Sequence, residues 1–298
     1  MATSQPKKVV QSTAAPVETD SDWKPRPEDR AKANKFRWIA VAFWVVAIVI
    51  ECVVIFGLLM NPGATQTPDG GDPVTVYPFL GASLSQTALW ILVLVLIVVC
   101  GILAVIGSQF WKKANRLDPT SEKNKFRFFV QNQLGAIISM IAFLPLVIMV
   151  LLSKNLKGSQ KGVAAGVAIV VLLGSVLAGT EFNPVSVEQN STEQALVLAY
   201  TQAVTGTGTD VVFWVKGSKV YHLCDDTGVL NRNSQDPFIY SGTVGQAKGA
   251  GMQRLSLQKE CDFDPATVTF TGDRGNAKAG QVLTIATTTE PTPTDSPS

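Results

Sequence analysis

Residues 38–60 read WIAVAFWVVAIVIECVVIFGLLM, 23 positions with one charge, Glu51. An α-helix rises about 1.5 Å per residue, so the stretch can cross a hydrocarbon core of roughly 30 Å. Three more runs follow without any charge: Ala88–Gly107, Leu134–Leu152 and Val163–Gly179. Soluble cores do not need apolar runs this long and unbroken. The expected fold is therefore an α-helical membrane bundle of four transmembrane segments, at about 38–60, 88–107, 131–152 and 163–179 within a block 36–180, followed by a small C-terminal α+β domain.

The totals agree. Charged residues make up 16% of the 298, against about 25% in soluble domains. A net charge of +2 with no basic excess in any one domain argues against a nucleic-acid partner. A single histidine excludes mechanisms that need two. Residues 1–35 are polar and proline-containing without apolar period, a leader expected to be disordered and cytoplasmic. The first run is too long for the core of a cleavable signal and is expected to remain as an anchor.

Charge placement sets the orientation. Eight Lys/Arg precede span one, and Lys112, Lys113, Arg116, Lys123, Lys125 and Arg127 fill the link between spans two and three. The 61–87 link has none, and it carries Asp69 and Asp72. The positive-inside bias puts the N-terminus in the cytoplasm of a cell-membrane protein. Sidedness of the tail stays open. Four crossings return it to the cytoplasm and leave Lys154, Lys157 and Lys161 outside. A re-entrant third run, broken at Pro145 and led by Gln131, Asn132 and Gln133, would put the tail outside.

Within the spans, Glu51 is the one carboxyl, and intramembrane carboxyls are functional candidates by default. The competing reading is depth, since fourteen residues beyond Arg37 is about 21 Å, near the opposite headgroups. Small residues four apart in span four (Gly162 and Gly166, Gly174 and Ala178, Ser175 and Gly179) suit close helix contact within the bundle, or with a second copy. Trp38, Trp44, Trp90 and Trp111 lie near run ends and suit interfacial anchoring.

In the 181–286 domain, Ser191-Thr-Glu-Gln194 reads as a capping box opening a helix that Gly206 breaks. Val211–Val215 and Val220–Cys224 read as strands joined by Lys216-Gly-Ser-Lys219. Thr243-Val-Gly-Gln246 is a second capping box, with Gly251 as the helix stop, and Lys248 and Arg254 are expected on a solvated face. Thr267–Thr271 and Gln281–Ala286 alternate as strands. Residues 287–298, rich in Thr, Pro and Ser, form a disordered tail.

Alternation along a strand would put His222 and Cys224 on one side, where Cys261 and Asp225 or Asp226 could complete a tetrahedral zinc site. A Cys224–Cys261 disulfide is the reading for a tail outside the cell, and two reduced structural thiols the third. A calcium loop over Asp262–Asp273 is discounted because Thr267 stands where glycine is required. No catalytic motif is present, so no enzyme is expected.

Lys219-Val-Tyr-His222, Gly242-Thr243, Ala247, Gly251 and Cys261 together resemble Ada-type zinc-binding modules. The resemblance covers about 45 residues and implies a zinc site. Asp226 stands where those modules have their first cysteine, and Ser256–Cys261 replaces the closing Cys-x-x-Cys, so the ligand role carries over to His222 alone. The whole chain resembles uncharacterised Gram-positive, actinobacterial-like membrane proteins, which implies no activity. The expected function is a non-enzymatic membrane protein presenting its tail as a binding module to a protein partner. The alternatives are a transporter or transport accessory that uses Glu51, and a zinc sensor.

Overall fold

A computed structural model describes residues 8–11, 23–67, 72–225, 230, 238–256, 268–271 and 284–287. The chain forms two units: one of Ala31–Asn115 and Lys125–Pro184, the other of Met1–Arg30, Arg116–Asn124 and Val185–Ser298.

The first unit is the helical bundle. It holds α1 (Pro27–Cys52, from Ala31 on), continued by a π-helix (Val53–Leu59), then α2 (Gln86–Leu117, to Asn115), α3 (Lys125–Leu152) and α4 (Gly158–Gly179). All four are long and apolar enough to cross a membrane. Their outward faces carry exposed Ile91, Val95 and Ile102 on α2, Ile141 and Leu144 on α3, and Val170 and Leu177 on α4. Contiguous apolar surface of this kind is stable only against lipid or another apolar partner. The inward faces meet in a core that includes Leu58, Leu89, Val93, Ile97, Phe143, Leu146 and Ala168.

Contacts at the two ends of α3 show that it runs the length of the bundle and is not re-entrant. At its start, the Gln131 carbonyl accepts from Trp111 Nε1 (2.7 Å) and Asn115 Nδ2 (2.8 Å) at the far end of α2. Just past its end, Ser153 Oγ donates to the Leu59 carbonyl (2.9 Å), and Asn155 Nδ2 donates to the Leu58 carbonyl (2.8 Å). Pro145 sits inside this helix and removes one backbone donor. Gly179 explains how closely α3 and α4 approach: a Cβ there would lie 2.6 Å from Ala136 N and 2.7 Å from Gly135 C. The Ser175–Gly179 pair is thus packing within the bundle, whereas Gly162, Gly166 and Gly174 have nothing within 4 Å of a Cβ position.

One expectation changes here. Trp44 is no interfacial anchor; it is buried, donates to the Ala104 carbonyl (3.3 Å) and packs on Trp111 with ring centroids 5.5 Å apart. The 61–87 link carries an antiparallel sheet of β2 (Ala64–Gln66), β3 (Val74–Phe79) and β4 (Ala82–Leu84). Its β3–β4 turn uses Leu80 and Gly81 at φ 47° and 82°, a pair of left-handed residues that lacks the Asn-Gly signature readers look for.

The second unit is the α+β domain. Helix α5 (Val187–Thr205) starts five residues before the expected box, capped by Ser186, whose Oγ accepts from Gln189 N (3.0 Å). Gly206, at φ 69°, ends it as expected. Strand β5 (Val212–Trp214) pairs antiparallel with β7 (Phe238–Gly242), and a bridge from Phe213 to His222 joins it to the segment of β6 (Val220–Tyr221). Strand β6 pairs parallel with β8 (Arg254–Leu255), and β9 (Val268–Thr271) antiparallel with β10 (Thr284–Thr287). The Thr243–Gln246 capping box opens α6 (Val244–Gly249), and Gly251 follows at φ 98°. Leu196, Val197, Tyr200, Trp214, Tyr221, Val244 and Leu255 form the core.

Two other parts of the chain join this unit. In the leader expected to be disordered, β1 (Lys8–Gln11) pairs parallel with β7. Trp23 N donates to Ser191 Oγ (2.8 Å), and Arg26 and Asp29, paired at 2.8 Å, lie against Gly249, where a Cβ would come within 2.6 Å of Asp29 Oδ1. From the link between α2 and α3, Ser121 Oγ and Glu122 N donate to the Glu188 carboxylate.

Candidate functional site

Glu51 stands two residues before the π-helix begins and is 7% exposed, so it points into the bundle and not into lipid. Helices α1 and α2 are antiparallel. Trp44 meets Ala104, and Cys100 Sγ donates to the Ala47 carbonyl (3.5 Å), which puts Glu51 level with about Ile97. Ile97 is midway along Ala88–Gly107. Glu51 therefore lies near the middle of the apolar spans, not at the headgroups. Its carboxyl takes a hydrogen bond from the backbone of Leu146, the residue after Pro145. Its other oxygen, Oε1, is buried without a partner.

The tail domain buries a denser polar cluster. On α5, Glu193 is 0% exposed and pairs with Lys248 of α6, Nζ to Oε2 2.6 Å. Tyr221 OH donates to the same oxygen, and Gln189 Nε2 donates to Oε1 (3.1 Å). Lys248 Nζ also donates to the Gln253 carbonyl (2.7 Å) and sits 5.5 Å from the Tyr221 ring centre. Lys248 is thus core, not a solvated face, while Arg254 is exposed as expected. Burial lowers the Lys248 pKa against the opposing pull of Glu193, and burial with the Glu193 charge raises that of Tyr221 well above its ordinary range. Asp210, also buried, accepts from Val244 N (2.9 Å) and Gln194 Nε2 (2.8 Å). Burial raises its pKa despite those two bonds. At the rim, burial alone would raise the Glu188 pKa, but hydrogen bonds from Ser121 and Glu122 and the charge of Lys123 hold it below the usual value.

The proposed zinc ligands fare unevenly. Tyr221, His222 and Leu223 are consecutive and all buried, so the alternation that put His222 and Cys224 on one face is absent. His222 keeps Nδ1 buried and unpartnered, and burial lowers its pKa, which favours the neutral ring. Cys224 is disulfide-bonded, whereas Cys52 and Cys100 are free. Asp226 and Cys261 lie outside the described residues. Among the described residues no three of His, Cys, Asp and Glu are placed to share a metal.

Reading the sequence missed the buried stripe Asn190, Glu193, Val197 and Tyr200 on α5. The i, i+3, i+7, i+10 spacing marks it, but Glu193 lies inside the Ser191–Gln194 stretch that reads as a helix cap.

No protein family, characterised protein or solved structure that was compared matches this chain. Its class follows from the fold: a multi-span helical membrane protein of four apolar helices with a C-terminal domain of strands and short helices.

Proposed function

We propose that this is a non-enzymatic, multi-pass cell-membrane protein whose bundle holds the tail domain as a binding module for a protein partner. One observation carries the reading: the domain is built from three parts of the chain, with the leader and the 116–124 link bonded into it through Trp23 and Glu188. A domain assembled from three chain segments is pre-organised before it meets a partner, which lowers the ordering cost of association. The test is a photo-cross-linking residue at exposed Lys216 or Lys219, in cells. A discrete protein adduct is expected; none at either position overturns the reading.

The same connectivity bears on sidedness. With four crossings, the N-terminus, the 116–124 link and the tail share one side, which then carries fourteen membrane-flanking Lys/Arg against Lys154, Lys157 and Lys161 on the other. We assign that side to the cytoplasm. The disulfide bond of Cys224 makes the opposite demand, because cytosolic thiols are kept reduced, and thiol labelling of Cys224 decides between the two. Zinc sensing makes a separate demand; metal below stoichiometry in the purified full-length protein would remove it. A homo-oligomer through Gly162, Gly166 and Gly174 keeps its support from their open face.

A second reading, transport or a transport accessory role using Glu51, is favoured by the unpartnered Oε1 at mid-depth.

A further inference from the structure

Among the described residues of this bundle, a charge at Glu51 has no counter-charge. No Lys or Arg lies within any of the four apolar runs, and Cys100 of α2 is the titratable group within electrostatic reach. From α3 the carboxyl receives only the Leu146 backbone. An uncompensated carboxylate at such depth costs several kcal/mol, so a small cation is the missing partner. The surroundings are also irregular. The π-helix begins two residues on, closing with a Met60 N to Ile55 O bond of 2.9 Å, and Pro145 interrupts the facing helix. Such departures from α-helical bonding concentrate at functional sites.

A second orphan marks a direction. Among the described residues of the bundle, the other buried side-chain atom without a hydrogen-bond partner is Trp90 Nε1, on the first turns of α2. Trp90 lies about 10 Å from the level of Ile97, toward the end that carries the 61–85 link. Both orphans therefore lie between mid-depth and that end.

We propose that Glu51 binds one monovalent cation, a proton or a sodium ion, and exchanges it with the aqueous phase on the side of the 61–85 link through a path past Trp90. The proposal builds on the transport reading of Glu51 and is independent of the tail. Occupancy can be measured without transport, so either can fail alone.

The test uses the full-length protein in liposomes and dicyclohexylcarbodiimide, which adds the O–H of a protonated carboxyl across one of its C=N bonds and rearranges to a stable N-acylurea. The adduct is read by mass spectrometry on the Glu51 peptide, with Glu51→Gln as the unreactive control. If the occupant is a proton, labelling falls as the pH is raised from about 6 to about 9, by as much as about tenfold per pH unit, whether sodium or choline is the salt. If it is sodium, replacing choline by sodium protects Glu51 at constant pH. No adduct at any pH, or an adduct indifferent to both pH and sodium, overturns the site. With the two faces clamped at different pH or sodium, labelling should follow the 61–85 side; labelling that follows the other side overturns the path.

Discussion

Replacing Lys248 by methionine strands the Glu193 carboxylate in the core of the tail domain. The side chains are 2% and 0% exposed, so water cannot take the place of the ammonium. Glu193 would keep the Tyr221 hydroxyl and the Gln189 amide but lose its charge partner at 2.6 Å, and the Gln253 carbonyl would lose a donor at 2.7 Å. Breaking a buried pair from one side costs about 3–5 kcal/mol, a large part of the roughly 5–15 kcal/mol that holds a domain folded. At about 4–8 °C per kcal/mol for a domain of this size, the tail should melt some 15 °C or more below wild type. Methionine fills most of the lysine volume, which keeps cavity formation a minor part of the loss. The double variant Lys248→Met with Glu193→Leu removes both charges, so it should recover much of the difference, even though Tyr221 then lacks its acceptor. Pulse proteolysis of the tail in the full-length, detergent-solubilised protein gives the stabilities of wild type, Lys248→Met, Glu193→Leu and the double variant. A single variant within about 1 kcal/mol of wild type, or a double variant as unstable as the sum of the singles, would refute the reasoning.

His222 is the one histidine in the chain, and its lowered pKa means that the unfolded state binds the proton more tightly. Tail stability should therefore fall as the pH drops below about 6.5 and continue falling to the folded-state value; His222→Gln should flatten that part of the profile, and an unchanged slope would count against a buried neutral ring. Valine at Gly179 drives a Cβ into the Ala136 and Gly135 backbone and should cost about 1–3 kcal/mol or more of bundle stability, whereas valine at Gly162, with nothing within 4 Å, should cost little. Equal melting temperatures for the two would contradict the α3–α4 contact. Glu188→Ala removes the acceptor for Ser121 and Glu122 and should raise protease cleavage at Lys123, read by peptide mapping against wild type. In intact cells treated with a permeant reductant, Cys224 should react with a membrane-permeant maleimide and not with an impermeant one; labelling by the impermeant reagent after reduction would reverse the assigned orientation.

Most of the architecture was legible because its signals are local. Apolar run length gave the four helices, and Gly206, Gly251 and the Thr243–Gln246 box marked helix ends that the structure keeps. What escaped depends on distant pairings. The N-cap of α5 falls at Ser186, not Ser191, because Ser186 also bridges to Thr120, while Ser191 faces Trp23 and bonds back to the Val187 carbonyl. Lys248 resembles any helix-end lysine until Glu193, 55 positions earlier in the chain, is brought beside it. The depth of Glu51 needed the register of α1 on α2, which no count from Arg37 can supply because the π-helix and the packing partners lie beyond it.

The two buried glutamates then divide by their surroundings. Glu193 receives an ammonium, a phenol and an amide, all from its own domain, so nothing about it calls for a ligand. Its part is to fix how α5, α6 and the segment of Tyr221 fit together, a specificity role whose net stability is small when the pair is intact and large when it is broken. Glu51 has the same carboxyl in a drier place, with one backbone donor and an orphaned oxygen. A chain that compensates one buried carboxylate so fully and leaves the other open is consistent with structure at the first and a visiting cation at the second. The carbodiimide experiment separates them as well: the same reagent should leave Glu193 unmodified in the folded protein, since its burial beneath Lys248 and Tyr221 keeps it out of reach.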